Sequence, residues 1–173
     1  MSSQSADSAM PHVKKIVHQL FVPFQLPDTA TPAGASIAHR LREDLFVWLT
    51  TVDEAGVPQP LAVTFLWDEA RATFLTYSLP ESDRGRLAHI RQNPNVALNF
   101  EGSGGDYIII TGEATVSADD PPADQVPDWV TKYQEVYPQL LGITLQQAAK
   151  GTIPVRIRPL TLRYVANPRR TTL

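Results

Sequence analysis

The sequence contains no cysteine. This absence excludes a disulfide framework, thiolate zinc sites, iron–sulfur clusters and a cysteine nucleophile. Apolar runs are also short, and none approaches the roughly 18 residues that a membrane-spanning helix requires. The stretch from Met1 to Met10 is polar and lacks the apolar segment of a signal peptide. We therefore expect a soluble cytoplasmic protein with no membrane span, whose chemistry depends on histidine, carboxylates, hydroxyls or a cofactor.

Positive charge is scarce as well. The chain carries 15 Lys and Arg against 18 Asp and Glu, which gives a formal net charge of -3. Such a balance lacks the long-range attraction to phosphate backbones that nucleic-acid-binding proteins show, so we expect no nucleic-acid partner. The four histidines have no metal-binding spacing, and the aspartates from Asp119 to Asp128 lack the glycine of a calcium loop. We expect no metal site.

The chain has the length and apolar content of one domain, with 173 residues of which 43% are hydrophobic. Residues 1–33 combine a Ser- and Ala-rich start with closely spaced prolines, which predicts a flexible N-terminal arm. Within this arm, the segment His12 to Gln19 suits one or two helical turns. Residues 34–173 are predicted to form the folded, cofactor-binding domain. The apolar end of the arm lies either on its own domain or across a partner subunit.

Stretches rich in β-branched and aromatic residues or alternating apolar and polar residues, separated by turn signals, predict a mainly β protein with helices. The last predicted strand must find partners far upstream, which favours a six-or-more-stranded closed or split β-barrel over an open sheet. Pro159 must then lie at an edge or a bulge. The predicted strands are Leu45 to Val52, Pro58 to Trp67, Ala72 to Tyr77, Val96 to Phe100, Tyr107 to Val116 and Ile153 to Val165. The predicted helices are Ile37 to Glu43 after a Ser36 cap, Arg86 to Gln92, Asp128 to Leu141 and Thr144 to Ala149.

The strongest functional signal lies between the third strand and the second helix. Thr76, Tyr77 and Ser78 end the strand with three hydroxyls, and Arg84 and Arg86 lie where the helix begins. Arginine in the first turn opposes the helix dipole unless an anion compensates. Guanidinium groups and backbone N–H groups at such a corner can converge on a phosphate. The alternative is that the hydroxyls satisfy turn hydrogen bonds and the arginines are solvated.

The order of strand, hairpin, two strands, phosphate corner, Asn-Pro and strand resembles the pyridoxamine 5'-phosphate oxidase-like split β-barrels, the FMN-binding split-barrel type. The similarity is greatest to their deazaflavin-dependent branch. Arg86 stands where that family usually has lysine, and Thr64 stands where it commonly has tryptophan. The motifs that carry the resemblance are Trp48-Leu49-Thr50-Thr51-Val52, Gly56-Val57-Pro58-Gln59-Pro60, Val63-Thr64-Phe65-Leu66-Trp67, Tyr77-Ser78-Leu79-Pro80 and Val126-Pro127-Asp128-Trp129.

The resemblance implies a homodimer with a cofactor cleft at the subunit interface. It implies an oxidoreductase that uses reduced deazaflavin coenzyme F420 to transfer hydride to a small conjugated or quinone-like acceptor. FMN is the alternative cofactor, and a non-enzymatic protein that binds haem or another cofactor is the alternative class. Because the cofactor carries the hydride chemistry, no catalytic side chain is expected.

Carried over by the resemblance, the cofactor-binding residues have four expected roles. Val63, Thr64, Phe65 and Leu66 line the ring, although they would also suit the core of any such sheet. Thr76, Tyr77 and Ser78 approach the ribityl chain. Arg86 holds the phosphate, assisted by Arg84 or the backbone of Leu87. Lys132, Arg40 or the basic pair Lys14-Lys15 meets the carboxylates of the deazaflavin tail.

Overall fold

The computed structural model describes residues 16–19, 26–80, 85–100, 102 and 106–165, with the backbone alone for the first range. Within these ranges the chain is mainly β with helices, as predicted. The strands are β1 (Ile16–Gln19), β2 (Phe46–Val52), β3 (Pro58–Thr64), β4 (Leu66–Asp68), β5 (Thr73–Ser78), β6 (Asn95–Phe100), β7 (Tyr107–Val116) and β8 (Ile153–Val165). The helices are α1 (Pro32–Glu43), α2 (Arg86–Gln92), α3 (Pro127–Tyr133), α4 (Val136–Leu141) and α5 (Leu145–Ala149), and a 3-10 turn spans Ala123–Gln125.

The strands form one antiparallel sheet that curls into a split β-barrel. Seven strands follow the order β3-β2-β6-β7-β8-β5-β4, and β1 adds to β8. Only Phe65 separates β3 from β4, so the two ends of this order belong to almost one continuous stretch of chain. The long β8 pairs with β5 near its start and with β7 along its length. The predicted fold class is confirmed.

The break between β3 and β4 is stabilised by a side chain from α3. The Phe65 N–H donates to Tyr133 Oη at 3.0 Å. The Tyr133 hydroxyl can donate in turn to the carbonyl of Leu45 or of Phe65, each at 2.8 Å. Tyr133 and Phe65 are almost wholly buried, so water cannot replace these bonds. One phenol therefore satisfies backbone groups at the point where the sheet changes partners.

A bulge lets proline lie inside the longest strand. The β7–β8 register passes from Thr111 opposite Thr161 to Gly112 opposite Pro159, which leaves one extra residue in β8. A Cβ on Gly112 would lie 2.6 Å from the Arg158 carbonyl oxygen, so the close approach of the strands requires glycine. The prediction that Pro159 lies at an edge or a bulge is confirmed.

The core has two layers, one on each side of β5. Inside the barrel, the Phe65 ring packs edge-on against Phe100 at 5.4 Å between centroids and is tilted against Phe74 at 6.0 Å. Outside it, Leu75 of β5 packs with Trp129 and other buried residues of the helical segment. Because β5 is covered on both faces, its polar residues need partners within the protein or in a ligand.

The helix boundaries differ from the sequence prediction in two places. Helix α1 begins at Pro32 with Thr31 as its cap, one turn before the predicted Ser36 cap. Proline suits the first helical turn because its missing N–H would be unpaired there in any case. The helix predicted from Asp128 to Leu141 is two helices, α3 and α4, because Pro138 cannot continue the α3 hydrogen-bond pattern.

The expected arm contains a strand in its described part. Ile16–Gln19 pairs with Thr161 to Tyr164 of β8, so the prediction of helical turns is wrong for these residues. The rest of the predicted segment, His12 to Lys15, lies outside the described residues. The apolar residues Phe21 and Phe24 lie outside the described residues, and Leu26 packs against the barrel core. The division of the chain into an arm of residues 1–33 and a domain of residues 34–173 stays a prediction.

Candidate functional site

A cleft of about 480 Å³ lies where β3 and the end of β5 meet α2 and the α4–α5 segment. Its size falls within the range of small-molecule sites. The lining brings together five of the predicted cofactor-binding residues, namely Val63, Thr64, Tyr77, Ser78 and Arg86. Among the described residues that line it, Arg86 is the only charged side chain. The rest of the lining consists of Phe46, Leu61, Ala62, Leu79, Ala123, Tyr137, Leu141, Leu145, Ala148, Ala149 and Thr152.

Ser78 and Arg86 are two buried polar residues of this cleft. Ser78 is 4% exposed, and its Oγ has no hydrogen-bond partner among the described residues. Arg86, on the first turn of α2, is 9% exposed. Its guanidinium group keeps its positive charge in any protein environment. A buried hydroxyl and a guanidinium group in one cleft can both donate to the same anionic oxygens.

Two threonines at the β3–β5 contact use their hydroxyls within the protein. Thr76 Oγ1 donates to the carbonyl of Thr64 at 2.8 Å and is buried. Thr64 Oγ1 lies 3.2 Å from Tyr137 Oη, and either atom can donate. Thr76 therefore fixes the spacing of the two strands, whereas Thr64 and Tyr137 face the cleft.

Tyr77 contributes a ring to the cleft and a hydroxyl to the neighbouring loop. Its Oη donates to the Pro121 carbonyl at 2.8 Å, and its ring packs edge-on against Trp129 at 4.8 Å. Burial raises the pKa of Tyr77 to about 12. The phenol is therefore protonated at neutral pH and is already used as a donor.

Besides Thr76, three predicted residues on α2, on β4 or between β3 and β4 lie outside the cleft lining. The side chains of Phe65 and Leu87 are buried in the barrel core. Leu66 lines a second cavity, next to β4.

Lys132 also lies in the second cavity. Its Nζ is 4.2 Å from the centroid of the Phe65 ring and donates to the Phe65 carbonyl at 3.2 Å. No residue in the described part of the chain lines both cavities. Arg84, the remaining predicted site residue, lies outside the described residues.

Sequence reasoning missed the contribution of the last helices to the cleft. Tyr137 and Leu141 of α4 and the α5 residues Ala148 and Ala149 form its outer wall. Burial raises the pKa of the Tyr137 phenol. The one available signal was the spacing of Tyr133 and Tyr137, which puts two phenols near each other along the helical segment. Within the described ranges, no group of three or more His, Cys, Asp or Glu side chains could hold a metal ion.

The family to which the chain belongs is that of pyridoxamine 5'-phosphate oxidase, which matches residues 34–165. A search of curated proteins found no match. None of the helices in the described part of the chain is long and apolar enough to cross a membrane.

The names of solved structures with the same fold mention different cofactors. An F420 reductase is 23% identical, with a TM-score of 0.52 over 72% of this chain and 94% of its own. An FAD-binding protein from Mesorhizobium loti is 14% identical, with a TM-score of 0.52 over 87% of this chain and 99% of its own. A haem storage protein from Vibrio cholerae is 14% identical, with a TM-score of 0.54 over 78% and 95%. At these identities, the similarity shows the split-barrel fold.

Proposed function

We propose that the cleft binds the deazaflavin coenzyme F420 and that the protein is an oxidoreductase for a small conjugated or quinone-like acceptor. The observation that carries the proposal is the unpartnered Ser78 hydroxyl in a cleft that the buried Arg86 also lines. A buried polar group without a partner is costly, and a ligand oxygen would remove that cost. A phosphate bound there satisfies the hydroxyl and faces no carboxylate among the described lining residues.

The cleft also suits a planar ring beyond the phosphate. Val63 and Leu61 supply apolar walls, and Thr64 and Tyr137 supply hydroxyls for the polar edge of a ring. When bound, reduced coenzyme F420 supplies a hydride from its C5. The chain's own residues bind the phosphate, orient the ring and exclude water from its face. The F420 reductase among the structures with this fold supports deazaflavin, and FMN is the alternative cofactor.

A second copy of the chain would complete the cleft. Phe46 and Trp48 are 45% and 40% exposed on β2, and Ala62 lies beside Trp48 in the register with β3. Phe46 and Ala62 also line the cleft, so the exposed apolar face and the site are continuous. We propose a homodimer in which this face is buried and the cofactor is enclosed.

Two neighbouring hydroxyls on β5 allow a matched test. We expect Ser78→Ala to leave thermal melting of the apo protein unchanged or to raise it, because the lost hydroxyl has no partner among the described residues. We expect the same variant to weaken binding of coenzyme F420 by about 0.5–1.5 kcal/mol, roughly 2- to 12-fold, because it removes a donor to the ligand. Thr76→Val removes a hydrogen bond within the protein, so we expect it to lower apo stability by about 1 kcal/mol. Fluorescence titration and thermal melting measure both variants. Unchanged affinity in Ser78→Ala would contradict the phosphate site.

A further inference from the structure

The second cavity is larger than the cleft and has a different chemistry. Its volume is about 800 Å³, and it lies between the end of α1, strand β4 with the following turn, and α3. Its apolar lining residues are Leu41, Leu45, Leu66, Trp67, Leu75 and Val126. Its charged lining residues are Arg42, Glu43, Asp68, Glu69, Asp128, Lys132 and Arg156. The proposed cofactor leaves this cavity without a function.

Lys132 is the amine in this cavity, and it is held in a fixed position. Its Nζ lies over the Phe65 ring and donates one hydrogen bond, to the Phe65 carbonyl. The Tyr133 ring is also close, at 5.6 Å from Nζ. An ammonium group has three donors, and an aromatic face is a weaker partner than water or a carboxylate. The surroundings of Lys132 therefore stabilise its charge poorly.

Burial accordingly lowers the pKa of Lys132 to about 8, and the nearby charges of Asp44 and Glu43 oppose this only in part. At pH 7.5, an amine of that pKa is about one quarter neutral, whereas an ordinary lysine is about 0.1% neutral. The difference is about 200-fold in the form that acts as a nucleophile.

The remaining charges restrict what such an amine can meet. Arg156 is engaged by Asp68 at 2.7 Å and by Asp120 at 2.5 Å, so it is not available to a ligand anion. The carboxylates of Glu43, Glu69 and Asp128 line the same cavity and outnumber the remaining cations, Arg42 and Lys132. A carboxylate or phosphate on the ligand would therefore meet a net negative lining. A neutral molecule would pack against the apolar lining residues instead.

We propose that Lys132 is the nucleophile of a second site, in which it condenses with a neutral, largely apolar aldehyde to form an imine. The neutral amine attacks the carbonyl carbon, and the C–N bond replaces the C–O bond. The carbonyl oxygen leaves as water together with the two amine protons. No oxidant or reductant takes part, and the step is reversible.

The test compares lysines within the wild-type chain. The sequence has four lysines, and Lys150 is exposed and serves as the internal reference. Full-length protein is incubated with propionaldehyde at pH 7.5, and cyanoborohydride reduces each imine to a stable secondary amine that peptide mass spectrometry locates. We expect Lys132 to be labelled at least tenfold faster than Lys150. We also expect its rate to saturate with aldehyde concentration, as a binding site requires, while the rate at Lys150 rises linearly.

Two controls make the outcome decisive. Lys132→Arg keeps the positive charge and the donor but forms no imine, so labelling should disappear from this peptide alone. Glyoxylate, an aldehyde with a carboxylate, should label Lys132 at least tenfold more slowly than propionaldehyde. Equal rates at Lys132 and Lys150, a rate at Lys132 without saturation, or equally fast labelling by glyoxylate would overturn the proposal. The comparison within the wild-type chain does not depend on the variant or on any bound cofactor.

Discussion

Replacing Tyr133 by phenylalanine tests how the strand break is held. The substitution keeps the ring, which packs against Trp129 at 4.8 Å and Tyr137 at 5.8 Å between centroids. It removes only the hydroxyl that accepts from the Phe65 N–H and donates to a carbonyl of Leu45 or Phe65. The packing of the core is therefore preserved while the break between β3 and β4 loses its polar partner.

The expected loss of stability follows from the burial of these groups. Tyr133 is 0% exposed and Phe65 is 1% exposed, so the freed N–H has no access to water. A buried donor left without a partner costs about 1–3 kcal/mol, and the lost bond to a carbonyl adds about 1 kcal/mol. We expect a total of roughly 2–4 kcal/mol, which corresponds to a decrease in Tm of roughly 5–15 °C for a chain of this size.

Urea unfolding followed by far-ultraviolet circular dichroism measures this change. The control is Tyr77→Phe, which removes a hydroxyl whose bond to the Pro121 carbonyl lies in an exposed position. We expect this control to lose roughly 0.5–1 kcal/mol, with the same urea dependence as the wild type. A Tyr133→Phe variant within 0.5 kcal/mol of wild type, or no more destabilised than the control, would refute the reasoning.

Two further predictions concern charge and assembly. Hydrogen bonds from Arg156 hold the pKa of Asp120 well below its usual range, so this carboxylate stabilises the fold above about pH 4 and the contribution is lost as the pH falls. We expect Asp120→Asn to cost roughly 2 kcal/mol at pH 7 and less at pH 3; equal losses in urea titrations at both pH values would contradict this linkage. We expect Trp48→Glu to convert a dimer to a monomer in analytical ultracentrifugation, because it puts a charge into the proposed apolar interface. A wild-type protein that is monomeric at micromolar concentration would contradict the proposed dimer.

Local patterns predicted most of the sheet. The strands β2, β6 and β7 alternate apolar and polar residues, and tight-turn residues mark the hairpin at Asp53–Gly56. Gly56 has a φ of 81°, which glycine adopts without strain. The proline in β8 also carried enough information to predict a bulge. Each of these signals lies within a few residues of the feature that it predicts.

The features that escaped prediction depend on distant contacts. The break at Phe65 lies inside an apolar run and depends on the hydroxyl of Tyr133, 68 positions along the chain. The placement of Lys132 depends on which side of α3 packs over β4, and the sequence of α3 does not determine this. By contrast, Ser78 and Arg86 lie close together in sequence, so their place in a common cleft was predictable.

The most direct test of the central claim is a side-by-side fluorescence titration of the purified protein with coenzyme F420 and with FMN at physiological salt. We predict micromolar or tighter binding of coenzyme F420 and at least tenfold weaker binding of FMN. Tighter binding of FMN would contradict the deazaflavin assignment and indicate a flavin-dependent protein. Binding of neither would contradict the proposal that the cleft at Ser78 and Arg86 is a site for this class of cofactor.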